Sequence, residues 1–110
     1  MEKCDLTQKH CKPCEGGIPA LSQEEAKKLN SQIKDWTLTD KHILKEFKFT
    51  NFVEAMKFVN RVADVAEMEG HHPDLFIHYN SVKIDLWTHA INGLSENDFI
   101  VASKIDSVHV

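Results

Sequence analysis

Residues 51–89 read NFVEAMKFVNRVADVAEMEGHHPDLFIHYNSVKIDLWTH, and two periods follow one another within them. From Asn51 to Gly70 the period is helical. Phe52, Ala55, Met56, Val59, Val62, Ala63 and Ala66 recur at three- and four-residue steps and so share one face. Asn51 is placed to cap this helix and Glu54 to answer it. Gly70 is placed to end it, because glycine enters the left-handed conformation at little cost. Pro73 opposes any continuation. Beyond Pro73 the period becomes two. Val82, Ile84 and Leu86 alternate with Lys83, Asp85 and Trp87, which predicts a strand with one buried face. Residues 75–79 and 82–88 read as a hairpin turning at Asn80-Ser81.

On the N-terminal side, Ser22 and Glu25 form a capping box ahead of Ala26, Leu29 and Ile33 at helical spacing. Two strands follow, at about 36–40 and 42–49, with a tight turn near Asp40-Lys41. On the C-terminal side, Ser95 caps a last helix with Asp98 at its third position. Leu94 and Phe99 are spaced as a hydrophobic staple. The order is α-β-β-α-β-β-α. Short turns imply antiparallel hairpins, and helices must cover the one apolar sheet face. The expectation is an α+β two-layer domain with a four-stranded antiparallel sheet and its helices packed on one face.

That domain is expected over residues 21–110, with residues 1–20 an irregular arm. The arm holds Cys4, Cys11, Cys14, two prolines and Gly16-Gly17. Cys11-Lys12-Pro13-Cys14 has the spacing of a metal or redox pair but no partner pair, so the cysteines are read as reduced and flexible. A chain of 110 residues suits one domain with a modest core, for which self-association is a natural source of further stability. The net charge is −4 and Arg61 is the single arginine, which argues against direct nucleic-acid binding. No apolar run approaches the roughly 20 residues of a membrane helix. No signal peptide is evident at the N-terminus, so the expected address is the cytoplasm.

Seven histidines are many for this length. His71 and His72 follow a helix end, where side chains are not committed to a core stripe. His89 lies at the end of the predicted strand 82–88, and Glu67 lies one turn before His71. A bare His-His pair reads most simply as a polar loop. A metal site would need spacing that the body lacks. His10, His42, His78 and His109 are read as surface or structural, and Trp87 as structural.

From Glu67 the chain runs Glu67-x3-His71-His72-Pro73-x5-Tyr79-x9-His89-x8-Asp98. This pattern resembles the signature of the pterin-4a-carbinolamine dehydratase family, as do Glu69 to Asp74, Tyr79-Asn80, Thr88-His89 and Gly93 to Phe99. The resemblance covers about residues 21–108. It implies dehydration of a 4a-hydroxytetrahydropterin, with no metal or other cofactor. It implies that His71 and His89 transfer protons and that His72 positions the pterin, with acid and base unassigned between the first two. Glu67 and Asp98 are then supporting or orienting residues, and Tyr79 lines the pocket or packs in the hairpin. The cysteine-bearing arm looks like an extension of some bacterial members. The resemblance also implies a homodimer or homotetramer and a link to an aromatic amino acid hydroxylase. Two rivals are a dimerisation cofactor of transcription on the same fold and a metal-dependent hydrolase.

Overall fold

The computed structural model describes residues 20–109. The expected arm over 1–20, except Ala20, lies outside the described residues, with all three cysteines and His10. The elements are α1 (Gln23–Asn30), β1 (Thr37–Leu38), β2 (Ile43–Lys48), α2 (Phe52–Glu69), β3 (Asp74–His78), β4 (Ser81–Leu86), a 3-10 turn (His89–Ile91) and α3 (Glu96–Val108). The sheet is antiparallel in the order β1-β2-β4-β3. The α+β architecture and the element order agree with the sequence reading.

Register explains the two faces of the sheet. Ile43 pairs with Leu86 and Phe47 with Val82, while Ile77 pairs with Val82 on the other side. Ile43, Phe47, Val82, Ile84 and Leu86 are buried, and they share a core with Ala55, Phe58, Val59 and Val62 of α2 and Phe99 to Ala102 and Ile105 of α3. Each such large apolar side chain stabilises the fold by about 1.5–3 kcal/mol on full burial. The alternate residues, among them Leu44, Glu46, Lys83 and Asp85, lie on the opposite, open face.

Helix α1 is closed by the predicted box: Ser22 Oγ accepts from Glu25 N–H, and Glu25 accepts from Ser22 N–H. The second bond holds the Glu25 carboxyl below its ordinary range, helped by the Ser22 hydroxyl. In α2, Asn51 Oδ1 accepts from Glu54 N–H, but the Glu54 carboxylate turns to Lys57 instead of answering the cap. The apolar stripe also differs at its edges. Phe52 is half exposed and Ala63 exposed, whereas Phe58 and Glu69 are buried. Phe58 meets Phe47 and Phe49 on the sheet side.

β1, β2 and β4 are shorter than expected, β3 keeps five residues but starts one earlier, and the second hairpin turns one residue earlier. Its turn is Tyr79-Asn80, with Tyr79 at φ 51°, not Asn80-Ser81. Ser81 already belongs to β4, paired with Lys48 and His78, and its hydroxyl donates to Glu46. Asn80 is tied to Phe49 through its carbonyl and its side-chain amide. β4 ends at Leu86, so Trp87 and Thr88 lie beyond the strand, and His89 opens the 3-10 turn.

Candidate active site

Helix α2 stops where Gly70 takes φ 64°, and the N–H groups of Gly70 and His71 both bond to the Ala66 carbonyl. With Pro73 following, His71 and His72 are released from the helix and diverge. His71 turns inward. Its Nε2 lies 2.6 Å from Oδ1 of Asp98, with the ring 12% exposed and the carboxylate fully buried.

A buried carboxylate needs donors on both oxygens. Asp98 sits in the first turn of α3, where the helix dipole favours its charge. Its Oδ2 accepts from the Thr88 hydroxyl at 2.8 Å and from the Ser95 N–H at 3.0 Å. The Ser95 hydroxyl lies 2.8 Å from Thr88 Oγ1 and donates to it, since the Thr88 proton is used on Asp98. As a carboxylate, Asp98 draws a proton on His71 to Nε2 and leaves Nδ1 for a bound molecule. One carboxylate thus links the segment after α2 to the segment carrying His89.

The loop that presents His89 is closed by Thr88 N–H to the Gly93 carbonyl at 2.8 Å, with the reciprocal bond at 3.3 Å. Gly93 is required by a close approach. A Cβ there would stand 2.8 Å from the Ala20 side chain, which the Leu21 N–H to Leu94 carbonyl bond holds in place. His89 itself is exposed, with its ring against the Trp87 indole.

His72 points the other way, to the rim. Its Nε2 lies 2.6 Å from Glu67 Oε2, and both side chains are well exposed. Tyr79 is not brought to this group. It occupies the turn after β3, whereas His71-His72-Pro73 precede that strand. The intervening five residues of strand separate them by about 17 Å. Tyr79 therefore does not share a pocket with the histidines of its own chain. Among the described residues, no three His, Cys, Asp or Glu side chains converge as metal ligands.

Thr88 and Ser95 join the site through contacts that their spacing in the sequence does not display. Their signal was positional: one precedes a candidate histidine and the other is a helix cap. His42 takes the structural alternative: it is half-buried, with its Nδ1 2.6 Å from Asp85. The His109 ring lies against Phe47, Phe49 and Phe58. His78 is exposed on β3.

Comparison with known proteins bears on the family and the fold. The family model for pterin 4 alpha carbinolamine dehydratase matches residues 19–108. A protein of Nitrosospira multiformis, provisionally named pterin-4-alpha-carbinolamine dehydratase, is 52% identical over 104 residues, covering 94% of this chain and 92% of its own. One of Methylococcus capsulatus with the same provisional name is 46% identical over 110 residues, covering 98% and 96%. Among solved structures, the transcriptional coactivator/pterin dehydratase of Brucella melitensis superposes with a TM-score of 0.79 at 31% identity, over 83% of this chain and 99% of that one. A pterin dehydratase-like RuBisCO assembly factor of the alpha-carboxysome shares the fold, with a TM-score of 0.55 at 20% identity, over 66% of this chain and 83% of its own. Fold, signature and similarity along nearly the whole body lead to one assignment: this chain belongs to the pterin 4 alpha carbinolamine dehydratase family.

Proposed function

We propose that the protein dehydrates a 4a-hydroxytetrahydropterin to the quinonoid dihydropterin and water, using histidines as general acid and base. The reaction is balanced without a redox partner. The proton on ring nitrogen 5 leaves, a double bond forms between that nitrogen and carbon 4a, and the 4a oxygen departs as water after taking a proton. Hydroxide is a poor leaving group, so delivery of that proton matters. Imidazole, with an unperturbed pKa of about 6.5, can give or take a proton near neutral pH.

The observation that carries this reading is the Asp98 carboxylate, which bonds His71 on one oxygen and Thr88, the neighbour of His89, on the other. His71 and His89 are assigned the two proton transfers. His72, steadied by Glu67 at the rim, is assigned to hold the pterin. Asp98 orients His71. Tyr79, exposed at the far end of the hairpin, is assigned to a contact between subunits. The catalytic domain is taken as residues 21–110, and the activity as cytoplasmic recycling of a tetrahydropterin used by an aromatic amino acid hydroxylase. No cofactor is assigned.

A homodimer or homotetramer is part of the same proposal. β3 lies at the sheet edge with Phe76 and Ile77 exposed, and an open edge is a ready surface for pairing. Sedimentation at micromolar concentration should give a species heavier than the 12.6 kDa chain, and a monomer would contradict this. For the activity, freshly generated 4a-hydroxytetrahydropterin should lose water faster with the protein than alone, and equally fast with a chelator present. No acceleration by folded protein would refute the dehydratase reading. Loss of activity on chelation with recovery on zinc would overturn the cofactor-free reading.

A further inference from the structure

A ring that moves protons must be held at a fixed angle to its substrate. For His71 the Asp98 carboxylate does this. Among the described residues, no side-chain hydrogen bond holds the His89 imidazole; its ring meets the Trp87 indole instead. We propose that Trp87 is a positioning residue for His89, and that His42, anchored by Asp85, braces the indole. The kinetic consequence rests on the dehydratase reading, whereas the contact itself does not.

The chain leaves β4 at Leu86 and turns at His89, and the Trp87 and His89 rings meet with centroids 4.0 Å apart at 36°. The register Ile43 with Leu86, extended by one residue, sets His42 opposite Trp87 on the open face. The two rings stack at 4.7 Å and 19°. His42 is fixed from several sides. Its Nδ1 lies 2.6 Å from Asp85 Oδ1, its N–H donates to Thr39 Oγ1, and its carbonyl accepts from Thr39 N–H. Asp85 faces Leu44 on β2 and Asp74 on β3, so His42 is its hydrogen-bonding side-chain partner. The line Asp85, His42, Trp87, His89 is separate from the network of Asp98.

Ring-to-ring contact, here tilted at 36°, has a consequence that a hydrogen bond lacks. It fixes the ring plane while leaving both imidazole nitrogens free for substrate and water. A misplacement of about 1 Å can cost on the order of a hundredfold in rate, so a partial loss of orientation should be measurable.

Steady-state kinetics and the ring-proton NMR signals of His89 test this in the intact protein. In wild type those signals should lie upfield, shifted by the indole ring current. Trp87→Leu should abolish the shift and lower kcat about tenfold, with KM changed by less than about twofold. Trp87→Phe should restore most of both. His42→Leu should show a smaller effect of the same kind, about threefold in kcat, and carries both readouts if Trp87→Leu does not fold. Unmoved His89 signals in folded Trp87→Leu would overturn the proposal. So would an unchanged kcat, or a loss confined to KM, which would make Trp87 a pterin contact. If wild type shows no dehydration at all, the dehydratase reading fails and the NMR signals alone decide the contact.

Discussion

The junction of α2 with α3 around His71 and the open sheet face around His89 hold their imidazoles by different physics. At the junction, a buried carboxylate accepts from His71, Thr88 and Ser95. On the open face, His42 stacks on the Trp87 indole, the tilted His89 ring packs against the same indole, and Asp85 binds the bracing His42. The first arrangement fixes a tautomer at the expense of one nitrogen. The second fixes a plane and leaves both nitrogens available. The difference suggests where each side is vulnerable: polar truncation should break the junction, and loss of aromatic area should loosen the open face.

The largest effects are expected at the rings themselves. His71→Ala and His89→Ala should each lower kcat by roughly a hundred- to ten-thousand-fold, the usual range for a general acid or base. Equal kcat in wild type and either variant would remove that residue from the proton-transfer pair. Asp98→Ala comes next. It leaves the Ser95 N–H, the Thr88 hydroxyl and His71 without their shared acceptor in a buried place. A stability loss of about 2–4 kcal/mol is expected in urea unfolding, together with lower turnover. A variant as stable as wild type would mean that the network is not what holds the junction.

His72 sharpens the contrast between rim and interior. Its bond to Glu67 is short but exposed on both sides, so it should add little to stability. His72→Ala should mainly raise KM, because a positioning contact acts on ground and transition states alike. If His72→Ala lost kcat while the other two variants kept theirs, the roles would be reversed.

The smallest effect concerns the polar part of the open face. The Ser81 hydroxyl, and then Lys48, holds the Glu46 carboxyl below its ordinary range. A depressed folded-state pKa stabilises the protein above the ordinary carboxylate value, and that contribution fades as pH falls through the lowered value. Ser81→Ala should move the Glu46 titration upward in NMR. The small stability gap from wild type should close in acid. An unmoved Glu46 titration would show that the hydroxyl has no hold on it.

Much of this organisation was legible in the sequence because it depends on local patterns. The α2 stop at Gly70, the alternation in β4 and the Ser22 cap each follow from neighbouring residues. His71, His89 and Asp98 could be marked because the family pattern spaces them. What local patterns do not display depends on partners distant in sequence. Phe58 belongs to the core because Phe47 and Phe49 meet it, though it lies off the stripe chosen from periodicity. Phe52, on that stripe, is half exposed. The roles of Thr88, Ser95 and His42 follow from three-dimensional neighbours that no spacing rule supplies. Tyr79 shows the converse: a place in the signature did not bring it to the histidines.

The most direct test of the shared role of the two regions is single-turnover dehydration by wild type, His71→Ala, His89→Ala and the double variant. If both imidazoles serve one reaction, the single losses should not add, and the double variant should fall close to the spontaneous rate. A folded double variant that retained most of the wild-type acceleration would contradict catalysis by this pair.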